Sequence, residues 1–263
     1  MTILILGCGN MGGAMLAGWL AGGLDPALFT VVDPYLAEAP DGVLLLQEIP
    51  EKQFDFILLG IKPQALDEAV PALERALGAD TVLLSILAGT EIASLAARLP
   101  GAGAIVRVMP NIAAAIGKAP LGLFASGLAP LGREKTEALL APLGQAEWLE
   151  SESQLDAVTA LAGSGPAFVY RFIDALAAGG TDLGLDPQQA RRLALAMVEG
   201  AGRLAGSSDL APDELARRVT SPGGTTAAGL AVLDQDQALA GLIAQTLRAA
   251  RDRGAELAAE ARR

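Results

Sequence analysis

The sequence predicts an α/β fold: a doubly wound parallel sheet over residues 1–150, followed by an all-α region over residues 151–263. Three observations carry this. Short apolar runs alternate with helical patterns through the first part of the chain. The glycine series Gly7-Cys8-Gly9-Asn10-Met11-Gly12 stands directly between the first apolar run and the first helical pattern. After Ser151 the strand signals stop and the apolar period becomes that of helices. Strands buried on both faces read as continuous apolar runs, as these do.

The first run, Ile3–Leu6, ends at the glycine series. There Gly7 permits a sharp strand-to-helix turn, Gly9 lets the backbone approach a pyrophosphate, and Gly12 lets helix and strand pack closely. The helix N-terminus then faces the phosphates. A Rossmann-type dinucleotide site also asks for a carboxylate about 20 residues further on. Asp33 meets that requirement, closing the run Thr30-Val31-Val32 where a second strand places it beside the adenosine ribose. A bare glycine pattern also fits a plain turn; its position between strand and helix favours the dinucleotide.

Further apolar runs follow at 43–46, Phe56–Leu59, 82–86 and 105–108, with weaker ones at 122–125 and 146–149. Helical patterns at 64–77 and 92–99 lie between them. Such sheets bind ligands outside the carboxyl ends of their strands, so Ile61-Lys62-Pro63, Leu87-Ala88-Gly89 and Met109-Pro110-Asn111 matter most. Pro63 and Pro110 bend the chain away from the sheet, and Gly89 leaves room for a ring or ribose. Lys62 either reaches a ribose hydroxyl or is solvated at the rim. Each alone reads first as ordinary loop chemistry; their shared edge argues for function.

In the second region, Leu155 and Val158 lead into a helix whose stripe continues through Phe168, Val169, Phe172, Ile173 and Leu176. Asp186-Pro187-Gln188-Gln189 starts the next helix, with a capping side chain, proline at the first position and Gln three residues after the cap. Its stripe runs to Gly206, and a last helix spans 237–260 with Leu239, Leu242, Ile243 and Leu247. These helices are rich in small residues and poor in aromatics. A domain this small with a wide apolar face completes its core with a second copy, so a homodimer through the helical domain is expected.

Two glycine-rich stretches interrupt these helices. Ala162-Gly163-Ser164-Gly165-Pro166-Ala167 marks either close approach to a ligand or a plain kink. In Thr220-Ser221-Pro222-Gly223-Gly224-Thr225-Thr226, Ser221 can cap the following helix, and the amides from Gly223 to Thr226 can bind an anion such as a carboxylate. An ordinary capped helix start explains the same residues. Thr226 and Leu230 share a face, which puts a hydroxyl above an apolar floor.

Composition narrows the function. A formal charge of −11 with no basic run argues against nucleic acid or an anionic membrane as partner. No apolar stretch suits a signal peptide or a membrane span, which points to the cytoplasm. Cys8 is the one cysteine, so neither a disulfide within the chain nor a thiolate metal cluster is expected. The sequence contains no histidine, which removes the usual acid–base group, the commonest metal ligand and every Ser-His-Asp triad. No metal site is expected.

Five stretches together resemble the pyrroline-5-carboxylate reductase family. They are the Gly7 to Gly12 loop, Gly60-Ile61-Lys62-Pro63, Arg107-Val108-Met109-Pro110-Asn111, Leu161-Ala162-Gly163-Ser164-Gly165-Pro166-Ala167 and Ser221-Pro222-Gly223-Gly224-Thr225-Thr226. The last two are the specific ones, and the resemblance covers essentially the whole length. It implies NAD(P)H-dependent reduction of the cyclic imine 1-pyrroline-5-carboxylate to L-proline. It also implies active sites at the interface of an interlocked dimer, with dimers assembling into larger rings. By position, Gly7, Gly9, Asn10, Met11 and Gly12 match the pyrophosphate loop. Lys62, Pro63, Ala88, Met109 and Asn111 match residues around the ribose and nicotinamide. Ser221, Gly223, Gly224 and Thr225 match those holding the substrate carboxylate, and Thr226 matches the threonine that hydrogen-bonds the ring nitrogen.

The chain departs from the family pattern in two places. Leu87 stands where Ala is common, a packing change. Asp33-Pro34-Tyr35 stands where many relatives carry a polar residue and Arg for a 2′-phosphate; a carboxylate prefers the free 2′-hydroxyl, so NADH is expected over NADPH. A β-hydroxyacid dehydrogenase-like ketone reductase would need a positioned acid, commonly a Lys in the helical domain. The lysines are Lys52, Lys62, Lys118 and Lys135, none in that domain. A non-enzymatic dinucleotide sensor is the alternative from another class, separated from an enzyme by turnover.

Overall fold

The structure, a computed structural model, describes residues 1–261. The chain divides into two compact units, Met1–Ser164 with the segment from Ala250 onward, and Gly165–Ala249.

In the first unit, β1 (Ile3–Leu6) passes through the glycine loop into α1 (Asn10–Ala21), and β2 (Phe29–Val32) and β3 (Leu44–Leu46) follow. Then come β4 (Phe56–Leu59), α2 (Leu66–Ala76), β5 (Val82–Ser85), α3 (Ile92–Arg98) and β6 (Ala104–Met109). The unit continues with β7 (Ala119–Ser126), α4 (Pro130–Leu140), β8 (Gly144–Trp148) and the short α5 (Gln154–Val158). All eight strands form one sheet in the order β3-β2-β1-β4-β5-β6-β7-β8. Every residue of β1, β2, β4 and β5 is buried, which is why these strands read as unbroken apolar runs. Full burial of each Leu, Ile or Phe contributes about 1.5–3 kcal/mol. One layer of core, under α1, is anchored by Trp19, which stacks on Phe29 at 5.5 Å and donates its indole N–H to the Leu139 carbonyl at 2.7 Å. The opposite layer packs Leu66 and Leu73 of α2 and Leu95 of α3 against the other face.

Two expectations change here. β7 runs antiparallel to β6, and β8 runs parallel to β7, so the last two strands oppose the other six. The link from Met109 to Ala119 holds only a short 3₁₀ turn, Ile112–Ile116, and is too short for the crossover that a parallel neighbour demands. The division between the units falls at Ser164/Gly165, beyond the expected 150/151. The reason is packing: Leu155 and Ala160 are buried, and Val158 lies against Gly122 of β7 so closely that no Cβ fits there.

The second unit holds α6 (Gly165–Asp182), α7 (Pro187–Gly206), α8 (Pro212–Arg218), α9 (Thr225–Asp234) and the first half of α10 (Ala238–Ala261). Asp186 caps α7 as expected, its Oδ1 accepting from the Gln188 and Gln189 amides at 3.1 Å. α6 and α7 form a close pair; a Cβ on Gly180 would stand 3.4 Å from that of Ala190. Within this unit Ala190 and Ala194 are the buried hydrophobic side chains, while Phe172, Leu193, Leu204, Val232, Leu242 and Ile243 are exposed. Among the described residues no helix is long and apolar enough to cross a membrane.

Candidate functional site

The strand order reverses between β1 and β4, where the connections from these neighbours leave to opposite sides. A crevice opens at such a point outside the carboxyl ends of the strands. The glycine loop occupies it. Gly7 has φ +87°, a conformation that strains any residue with a side chain, and its own Cβ would collide with the Gly60 carbonyl at the end of β4. A Cβ on Gly12 would strike the Gly7 carbonyl oxygen. The end of β1, the start of α1 and the end of β4 therefore touch through backbone alone.

Gly9 faces open space, with nothing within 4 Å of a Cβ placed there, and serves as the cap position of α1. The first helical amide bond runs from Gly13 to the Gly9 carbonyl. The amides of Asn10, Met11 and Gly12 precede it and have no acceptor within the helix. Asn10 is exposed and Met11 half-buried. This donor set fits a dinucleotide pyrophosphate: backbone donors, open space and no side chain in the way.

Asp33 directly follows β2 and is 9% exposed. Its Oδ2 accepts the Cys8 N–H at 2.8 Å and its Oδ1 accepts the Tyr35 N–H at 2.9 Å. The Cys8 thiol is held above its ordinary pKa, first by burial and second by the Asp33 charge.

The remaining first-unit candidates lie at the same edge. Lys62 is exposed where β4 gives way to the 3₁₀ turn Pro63–Ala65, and Pro63 is half-buried at its start. Ala88 is exposed in the connection from β5 to α3, beside Gly89 at φ +72°. Met109 ends β6, half-buried. Asn111 is 6% exposed, and both ends of its amide are engaged: Oδ1 accepts from Ala113 at 3.0 Å and Nδ2 donates to the Ala162 carbonyl at 2.9 Å.

That carbonyl belongs to a π-turn, Thr159–Gly163, closed by the Ser164 N–H on the Thr159 carbonyl at 2.9 Å. The first glycine-rich stretch thus opens on a π-turn, of a type that recurs at functional sites. Sequence reasoning missed one group here. Glu152, just before α5, accepts from Arg107 of β6 at 2.9 Å and from the Ile92 N–H of α3 at 2.7 Å. Partners so distant in the chain leave no local signal.

In the second unit the Ser221 to Thr226 stretch forms the start of α9. Ser221 is not the cap, contrary to expectation. Gly224 holds that position, and the Ser221 carbonyl instead accepts the Gly224 N–H at 3.0 Å in a tight turn through Gly223, φ +70°. Pro222-Gly223 thus separates Ser221 from the helix. Thr225 and Thr226 are the first two helical residues, both exposed. The hydroxyls of Ser221, Thr225 and Thr226 have no hydrogen-bond partner among the described residues, and the first-turn amides are free for an anion. Among the described residues no cluster of His, Cys, Asp or Glu can hold a metal.

Comparison with known proteins gives a consistent picture. Residues 152–257 match a family model described as pyrroline-5-carboxylate reductase dimerisation. A pyrroline-5-carboxylate reductase of Pseudomonas aeruginosa is 37% identical over 97% of this chain and 96% of its own length. Among solved structures, a pyrroline-5-carboxylate reductase of Coxiella burnetii superposes with a TM-score of 0.89 at 29% identity, covering 97% of this chain and 98% of that one. A Plasmodium falciparum pyrroline carboxylate reductase with NADP bound shares the fold, with a TM-score of 0.84 at 22% identity over 98% of both chains.

Proposed function

The chain belongs to the pyrroline-5-carboxylate reductase family, and from that premise we propose that it reduces 1-pyrroline-5-carboxylate to L-proline with NADH or NADPH. The observation that carries the reading is the full-length relationship, joined to a strand edge shaped for a dinucleotide. When bound, the cofactor supplies a hydride from C4 of its dihydronicotinamide ring. A protonated imine is already electrophilic, so the protein's part is to hold, orient and exclude water. That explains how the reaction proceeds without histidine.

In this proposal Gly7, Gly9, Asn10, Met11 and Gly12 hold the pyrophosphate through the amides at the start of α1. Lys62, Pro63, Ala88 and Met109 line the ribose and nicotinamide, and Asn111 shapes that end through its bond to the π-turn. Ser221, Gly223, Gly224 and Thr225 bind the substrate carboxylate through a hydroxyl and backbone donors. Thr226 orients the ring nitrogen, whose proton comes from solvent. The Asp33 carboxylate, fixed by two backbone donors, faces a ribose 2′-hydroxyl more favourably than a 2′-phosphate; NADH is the preferred donor.

Residues 152–257 are the dimerisation region, and the exposed apolar side chains of the second unit are the surface a second copy covers. The sheet carries the cofactor; the helical part carries dimerisation and the substrate carboxylate. A larger ring of dimers is part of the same proposal.

The test is oxidation of NADH and, separately, of NADPH with 1-pyrroline-5-carboxylate, with a ketoacid control. Imine-dependent turnover with a higher kcat/KM for NADH is the expected result. Saturable NADH binding without turnover would support a sensor, and turnover with the ketoacid alone would overturn the imine as substrate.

A further inference from the structure

We propose that Glu152 is a positioning residue for the cofactor, fixing the Ala88-Gly89 loop at the carboxyl edge of the sheet through the first amide of α3. This rests on the dinucleotide reading of that edge.

One oxygen, Oε1, carries the link. It accepts the Ile92 N–H at 2.7 Å and an Arg107 Nη1 hydrogen at 2.9 Å. Ile92 begins α3, so its amide is one that a helix start leaves without an internal acceptor. The connection over residues 86–91, which holds Ala88 and Gly89, is anchored at one end by the β5 ladder. Glu152 anchors the other end. Arg107 stands opposite Ser85, the last residue of β5, and two residues before Met109. Its side chain is 7% exposed against 26% for Glu152. The buried guanidinium thus ties the same carboxylate to the strand that ends at Met109. One side chain sets the spacing between the two segments proposed to line the nicotinamide end.

Removing one partner of a buried pair leaves the other charge uncompensated, whereas replacing both with apolar groups of similar volume restores stability. That asymmetry separates positioning from mere structural support. Glu152→Gln keeps an acceptor for the Ile92 amide and loses the charge. Glu152→Ala loses both. The double variant Arg107→Met/Glu152→Met removes the buried charge and leaves Ile92 without its acceptor.

The experiment measures NADH affinity by fluorescence in the absence of imine, Tm, and steady-state constants for NADH and imine. Misplacement of a reacting group by about 1 Å can cost about a hundredfold. Glu152→Ala is expected to raise the Kd for NADH about tenfold or more and to lower kcat, with the imine KM within about twofold of wild type. Glu152→Gln should recover most of the NADH affinity. The double variant should recover part of the Tm lost in Glu152→Ala yet keep the weakened NADH binding. Unchanged NADH affinity in Glu152→Ala, or recovery of both properties in the double variant, overturns the proposal. If Glu152→Ala does not fold, the Gln and double variants decide. Because affinity is read without imine, a wild-type protein that binds NADH but does not reduce the imine would overturn the reductase reading and leave this one standing on its own data.

Discussion

The Asp33 carboxylate accepts the Cys8 amide hydrogen at 2.8 Å through Oδ2, so the end of β2 is joined to the glycine loop at the end of β1. Its other oxygen holds the Tyr35 amide at 2.9 Å. A charge fixed by two backbone donors cannot swing away from an incoming phosphate. Repulsion between unit charges about 4 Å apart is about 1 kcal/mol in water and about 4 kcal/mol at an effective dielectric constant of 20. Asp33→Ser should therefore raise the NADPH-to-NADH ratio of kcat/KM at least about fivefold. The same variant should lower Tm, because two charge-assisted bonds to backbone are weakened. Parallel assays with both cofactors check the first expectation and thermal unfolding the second.

Cys8 gives a chemical readout of the same contact. Burial and, secondarily, the Asp33 charge raise the thiol pKa, so at pH 8 less of it is thiolate than of an exposed cysteine. Alkylation by iodoacetamide should be slower than that of free cysteine at this pH, since the thiolate is the nucleophile. In Asp33→Ser the rate should rise in part only, because burial, the larger cause, remains. A rate equal to that of free cysteine in the wild-type protein would contradict this.

The glycine loop and Asp33 were legible in the sequence because the strand-turn-helix spacing is local. The all-α second part was legible because a 3.6-residue period is unlike anything in a strand. The reversal at β7 was not, since the weak run at 122–125 carries no directional information; the shortness of the preceding link was its one signal. Ser221 suits a cap by residue type, whereas the turn at Pro222-Gly223 moves the helix start three residues on, to Gly224. The place of Asn111 just after β6 is legible, but its partner Ala162 is 51 residues away. The Arg107–Glu152 pair spans 45 residues and has no sequence signature at all.

Gly12 tests the backbone contact at the heart of the crevice. A methyl group there would meet the Gly7 carbonyl oxygen, and neither partner is a flexible side chain that could give way. Gly12→Ala should destabilise the protein by about 1–3 kcal/mol, the usual cost of overpacking. It should also weaken NADH binding, since relief of the clash must displace the glycine loop proposed to hold the pyrophosphate. Urea unfolding gives the first quantity and fluorescence titration the second.

The apolar face of the second unit predicts its own oligomer test. Leu242 and Ile243 of α10 are 61% and 45% exposed. Leu242→Asp/Ile243→Asp would place two charges on the surface proposed to be covered by a second copy, which is costly without partners. Sedimentation velocity should show the wild type as a dimer or larger and the variant shifted towards monomer. Imine turnover should fall with it if active sites are completed between copies.

Thr226 is the sharpest test of the proposed chemistry. It is the second residue of α9, exposed, with a hydroxyl that has no partner among the described residues. One turn on, Leu230 is half-buried on the same face. A hydroxyl that orients the ring nitrogen acts where charge changes during reduction, and removing one such donor typically costs about a hundredfold or more in kcat. Solvent can stand in for part of this at an exposed position, so Thr226→Ala should lower kcat/KM for the imine by about 10–100-fold. The NADH Kd, which the proposal assigns to the other unit, should not move. Thr226→Ser, which keeps the hydroxyl, should recover most of the activity, while Thr225→Ala should raise the imine KM more than it lowers kcat, because its proposed partner is the unreacting carboxylate. Full kcat and KM in Thr226→Ala would remove the residue from the mechanism and leave protonation to solvent and positioning to the glycine amides.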